Sequence, residues 1–104
     1  MPRNRTEYIL LLDYYGELLT KHQVDILNDY YNNDLSMNEI ALNYSISKSA
    51  VQDLIKRSIL QLQKYEKVLK LINRDNKLNK ILFDMESLNN KEINTYIKKI
   101  RKIK

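Results

Sequence analysis

The sequence predicts an all-α protein, and three observations carry that prediction. Glycine and proline occur once each in 104 residues, and the proline is Pro2. Sheet-rich folds need many turns built from these residues, and no internal proline breaks a helix here. Apolar residues recur at spacings of three and four along most of the chain, the period of a helix face. Finally, a helix-start signal repeats along the first half of the sequence.

The elements follow in order. Tyr8, Leu11, Leu12, Tyr15, Leu18 and Leu19 share one face of a helix over about residues 5–19. Gly16 within it costs about 1 kcal/mol relative to alanine, and it either permits close packing or is tolerated. Thr20 then stands three residues before Gln23, with Leu19 and Val24 flanking, the form of a capping box with a hydrophobic staple. Leu35-Ser36 through Glu39-Ile40 repeats that form. Ile46-Ser47 through Val51 gives the cap and staple without the acid. Helices therefore start near 21, 37 and 48, and the middle one, about 37–44, is short. From Val51 the positions 51, 55, 58, 62, 65, 69 and 72 alternate steps of four and three. They predict one helix from 48 to 72, roughly 37 Å long at 1.5 Å per residue. Asn73 to Asn76 and Asn89-Asn90 are the expected bends. Leu78, Ile81, Leu82, Met85 and Leu88 give another helix face, and Asn90 can cap a last helix bearing Ile93, Tyr96, Ile97, Ile100 and Ile103. The expected organisation is a helical domain over 1–72 and C-terminal helices over 73–104 that pack on the long helix. The seam along 51–72 reads either as a homodimer interface or as a face covered by those later helices.

The composition narrows the function. There is no cysteine, hence no disulfide framework, thiolate metal site or thiol nucleophile. His22 is the single histidine, and its default reading is an exposed helix residue. Asp84 and Glu86 do not share a helix face, and the single glycine excludes the usual phosphate-binding loops. No catalytic residue, metal ligand or cofactor is expected. No apolar run is long enough to span a membrane, and Asp13 ends Ile9-Leu10-Leu11-Leu12 too early for a secretory segment. By elimination the expected location is cytoplasmic. The net charge of +5 is uneven. Residues 1–60 hold six Lys/Arg against eight Asp/Glu, and residues 61–104 hold twelve against five. The C-terminal excess points to an anionic partner or to a solvated lysine-rich surface.

A short helix, a tight turn and a longer capped helix over about 36–60 form a helix-turn-helix pattern. Ala41 is small where the two helices cross, and Ile40, Tyr44, Ile46, Val51 and Leu54 or Ile55 supply its core. Ser45 occupies the turn position where glycine is common. The face so presented carries Ser47, Lys48, Ser49, Gln52, Lys56 and Arg57 as candidate nucleic-acid contacts. Gln52 suits adenine, Lys48 a guanine or a phosphate, and Lys56 and Arg57 phosphates. Asp53 among them repels phosphate unless it accepts from a cytosine amino group.

Leu19-Thr20 through Leu62 resembles the fourth conserved region of bacterial sigma factors. Nearly the whole chain resembles the YlxM family of small bacterial proteins. The resemblance rests on Leu11 to Tyr15, Leu18-Leu19-Thr20, Gln23, Tyr30-Tyr31, Leu35-Ser36 through Ala41, Ile46-Ser47, Ala50-Val51 and Tyr65-Glu66. It implies a sigma region 4-like helix-turn-helix bundle with a long recognition helix and C-terminal helices. It also implies a DNA-binding or regulatory role associated with the signal recognition particle, whose RNA and GTPase become candidate partners. Lys48, Ser49, Gln52 and Asp53 depart from the Arg-Glu-x-x-Arg-Gln arrangement of sigma factors, so a sigma factor proper is not expected. The alternative function is a protein–protein adaptor that uses the same scaffold without binding nucleic acid.

Overall fold

A computed structural model describes residues 4–103. They form helices α1 (Arg5–Tyr15), α2 (Lys21–Tyr31), α3 (Met37–Tyr44), α4 (Lys48–Leu69), α5 (Leu71–Glu86) and α6 (Lys91–Ile103), with no strand among the described residues. The chain divides into two compact units, Met1–Lys70 and Leu71–Lys104.

The local start signals work as expected. Thr20 Oγ1 accepts from the Gln23 N–H at 3.2 Å, and Gln23 Oε1 accepts from the Thr20 N–H at 2.9 Å. Ser36 and Glu39 reproduce this reciprocal pairing at 3.1 and 3.0 Å. Ser47 caps α4 through the Ala50 N–H at 3.0 Å. Asn90 Oδ1 accepts from the N–H groups of Glu92 and Ile93 at the start of α6. Each cap satisfies donors that a helix cannot pair internally.

Two elements end differently from the expectation. α1 stops at Tyr15 rather than at 19, and Gly16–Leu18 tighten into a 3-10 turn closed by the Leu19 N–H on the Gly16 carbonyl at 3.0 Å. Gly16 sits in ordinary right-handed geometry, so its role is close approach. A Cβ there would lie 3.3 Å from Leu12 Cδ1. The turn delivers Leu19 to the core and leaves Leu18, expected on the buried face, 54% exposed. The second difference is at Lys70. The expected continuous helix to 72 breaks there, in left-handed geometry (φ 55°, ψ 31°), with the Lys70 N–H on the Glu66 carbonyl at 2.8 Å. Asn73 to Asn76 are therefore not a bend but lie inside α5. Asn89-Asn90 do lie between α5 and α6.

In the first unit α4 packs against α1, α2 and α3. Leu11, Leu12, Tyr15, Ile26, Leu27, Ile40, Val51, Ile55, Ile59 and Leu62 form its core. The α4 seam is buried as far as Leu62, half-buried at Tyr65 and exposed at Leu69. Ser58 lies within that seam with no exposed surface, and Gln23 Nε2 donates to its hydroxyl at 3.0 Å. The same amide donates to Gln61 Oε1 at 3.2 Å. One glutamine thus caps α2 with its oxygen and ties α2 to α4 with its nitrogen. Other polar groups also tie distant segments. Arg5 pairs with Asp34 and donates to the Tyr31 carbonyl, while Tyr15 donates to Glu66. In the second unit α5 and α6 pack together, with Leu82 and Ile97 buried and Arg101 paired with Glu86.

Candidate nucleic-acid interface

The connection between α3 and α4 sets the geometry of the interface. Ser45 adopts φ 56° and ψ 42°, the left-handed conformation that stops α3. The Ile46 N–H returns to the Ala41 carbonyl at 3.0 Å, and the Ser45 N–H to the Leu42 carbonyl at 3.3 Å. This is the backbone pattern of a Schellman motif. Ile46 is half-buried beyond the turn, and Ala41 is buried on α3. Ser47 then caps α4 within two residues of the end of α3's last bonds. The short turn and the buried Ile40, Ala41, Val51 and Ile55 fix α4 against α3. Tyr44 adds a tie to α2, its hydroxyl donating to Asp29 Oδ2 at 3.0 Å; desolvation first, and then this bond to a carboxylate, raise the Tyr44 pKa. His22 is exposed, as expected, with its ring edge-on to Tyr44 and the two ring centroids 5.6 Å apart.

All six candidate contacts are exposed at the start of α4 or within its first three turns. At 3.6 residues per turn, Lys48, Gln52 and Lys56 follow one stripe, with Ser49 beside it. Arg57 lies about 100° further round than Lys56. Its Nε donates to Asp53 Oδ2 at 2.9 Å. Asp53 thus engages Arg57 on the helix surface, and Lys48 and Lys56 are the positive groups on this face without an acidic partner among the described residues. The helix-turn-helix is legible in the sequence; this pairing is signalled there only by an i, i+4 spacing. Among the described residues, no group of three His, Asp or Glu side chains is placed to hold a metal ion. No helix among them is long and apolar enough to cross a membrane.

Charge divides with the two units. The segment to Lys70 holds nine Lys/Arg and nine Asp/Glu, and the segment from Leu71 holds nine and four. Lys98, Lys99, Arg101 and Lys102 lie on the C-terminal half of α6, and Arg101 and Lys102, in its last turn, also favour the helix dipole.

Comparison with known proteins bears on the same scaffold. Residues 3–103 match the family UPF0122, described as "Putative helix-turn-helix protein, YlxM / p13 like". The chain belongs to the UPF0122 family. A UPF0122 protein of Malacoplasma penetrans is 51% identical over 67 residues, which span 64% of this chain and 63% of that protein. One from Clostridium perfringens is 43% identical over 91 residues, covering 88% of this chain and 81% of its own. One from Acetivibrio thermocellus is 44% identical over 86 residues, covering 79% and 74%. The UPF0122 match spans both compact units and includes the α3–turn–α4 connection.

Proposed function

We propose that this UPF0122 protein is a nucleic-acid-binding regulatory or accessory protein that makes its contacts through the first turns of α4. The observation that carries this reading is the exposed stripe of Lys48, Gln52 and Lys56 on a helix whose other face is held by α3. A rigid helix with amide and ammonium side chains on its free face suits a major groove, where glutamine pairs with adenine and lysine with guanine or phosphate. Ser47 and Ser49, exposed beside that stripe, offer hydroxyls to phosphate oxygens. The basic α6 adds a second anion-attracting segment. The resemblance to the YlxM family supports looking for this role in the signal recognition particle pathway, with the particle's RNA as the first nucleic acid to try. The fluorescence anisotropy of labelled particle RNA and of mixed-sequence duplex DNA, titrated at several salt concentrations, tests the proposal. Binding that weakens steeply with salt is expected, since each neutralised phosphate releases counterions. No binding to either at low salt would remove the reading.

One observation favours a second reading, a protein–protein adaptor. The first unit, which contains the helix-turn-helix, carries equal numbers of acidic and basic residues and so lacks a net attraction for phosphate. An adaptor contact made by packing would change little with salt.

A further inference from the structure

The first unit contains a groove of about 390 Å³ between α1, α2, the start of α3 and α4. That is within the size range of sites that hold small planar ligands. Tyr8 and Tyr30 contribute half-buried rings, and Met37 adds a polarisable apolar side chain. Beneath them Tyr31 is packed edge-on, 4.9 Å from the Tyr30 centroid and 5.7 Å from that of Tyr8. Burial, with the neighbouring Tyr30 and Tyr8 phenols, pushes the Tyr31 pKa up to about 12, so the floor is uncharged. The opposite wall is α4, which supplies the exposed side chains of Gln52, Lys56 and Gln63. Among the described lining residues Lys56 alone is charged, and no carboxylate among the described residues pairs with it.

We infer that this groove takes an unpaired nucleobase from a single-stranded or looped segment of nucleic acid. Each part of the wall fits one part of a nucleotide. Tyrosine rings stack on bases of any identity, the amides of Gln52 and Gln63 can pair with a base edge, and the unopposed Lys56 ammonium attracts the attached phosphate. Gln52 and Lys56 belong both to this wall and to the outer stripe of α4, so an extruded base would enter beside a backbone already held on that helix. The inference rests on the proposed nucleic-acid role and adds to the paired segment that suits α4 a substrate class of its own, a strand or loop with accessible bases.

The test compares fluorescein-labelled single-stranded oligoadenylate with a blunt mixed-sequence duplex, using the full chain and its variants Tyr8→Leu, Tyr30→Leu and Tyr30→Phe. Tyr8 and Tyr30 lie on α1 and α2, off the helix proposed to contact nucleic acid, and leucine keeps the apolar fill. Each leucine variant should weaken single-strand binding about tenfold, the scale of one lost base–aromatic stack, while Tyr30→Phe and duplex binding stay unchanged. Irradiation of the wild-type protein with a bromouridine-substituted single strand gives a readout that needs no variant, and crosslinks should map to Tyr8, Tyr30 or Met37. Unchanged single-strand affinity in both leucine variants, or crosslinks confined to the segment 47–52, would overturn the groove assignment. Duplex binding without single-strand binding would overturn it and leave the α4 reading standing. No binding of either strand form at low salt would overturn both.

Discussion

Replacing Ser45 by glycine should stabilise this protein. Ser45 holds φ 56° and ψ 42° between α3 and α4, and its backbone N–H is bonded while its hydroxyl has no partner among the described residues. A left-handed conformation costs an L-residue roughly 1–2 kcal/mol through the clash of Cβ with the following carbonyl. Glycine removes that cost but loses roughly 0.5–1 kcal/mol more backbone entropy on folding. Midpoint against midpoint the net gain is about 0.75 kcal/mol, taken as about 0.5–1 kcal/mol. For a domain of this size each kcal/mol moves the midpoint by about 4–8 °C, so Ser45→Gly should raise the Tm by about 2–8 °C. Thermal unfolding followed by circular dichroism at a helix wavelength measures it, with Ser45→Val as the opposing control, expected to lower the Tm. A Tm for Ser45→Gly equal to or below that of the wild type would refute the account of the turn. It would mean that the α3–α4 connection is not held by a left-handed residue at 45. Nucleic-acid affinity should not change, because Ser45 lies outside the stripe of Lys48, Gln52 and Lys56.

Other outcomes follow from the same structure. Gln23→Ala removes the box at the start of α2 and leaves the buried Ser58 hydroxyl without its donor, so urea denaturation should show a loss of about 2 kcal/mol. Lys48→Ala and Lys56→Ala should each reduce the salt slope of nucleic-acid binding by about 1, whereas Arg57→Ala should reduce it less because Asp53 already engages Arg57. Restoring the free guanidinium with Asp53→Asn should steepen the slope; equal slopes in all these proteins would argue for the adaptor reading. Tyr31 ionises at about 12 in the folded chain against 10.0 for a free phenol. The folded state therefore binds the extra proton between these values, and stability present below pH 10 should fall as pH rises towards 12. Ultraviolet titration of the phenols beside helix content checks this, and a Tyr31→Phe variant should lose less stability over the same range.

Helix starts were legible because they are local. Thr20, Ser36, Ser47 and Asn90 bond to backbone groups two or three residues away, so four residues of sequence contain both partners. The helix-turn-helix was legible for a related reason: two caps, a small Ala41 and apolar spacing confine the chain to few arrangements. The end of α4 was not legible. Lys70 carries no intrinsic preference for a left-handed break, and the alternating apolar positions continue through Leu69 and Ile72. Likewise Gly16 marked a special position, but only the packing around Leu12 and Val24 shows that close approach is the reason.

Period, caps and residue type act over one or two turns, so the helical class, the helix starts and the polar face of α4 are written locally in the chain. Tertiary structure decided the use made of distant residues. Gln23 and Ser58 are 35 positions apart, so only the packing of α2 on α4 makes a buried serine a bonded one. Tyr8, Tyr30 and Lys56 stand on three helices, and no periodicity within any one of them places two aromatic rings opposite an ammonium. Such a grouping depends on loop closure and helix packing, which act through space and leave no spacing in the chain to read.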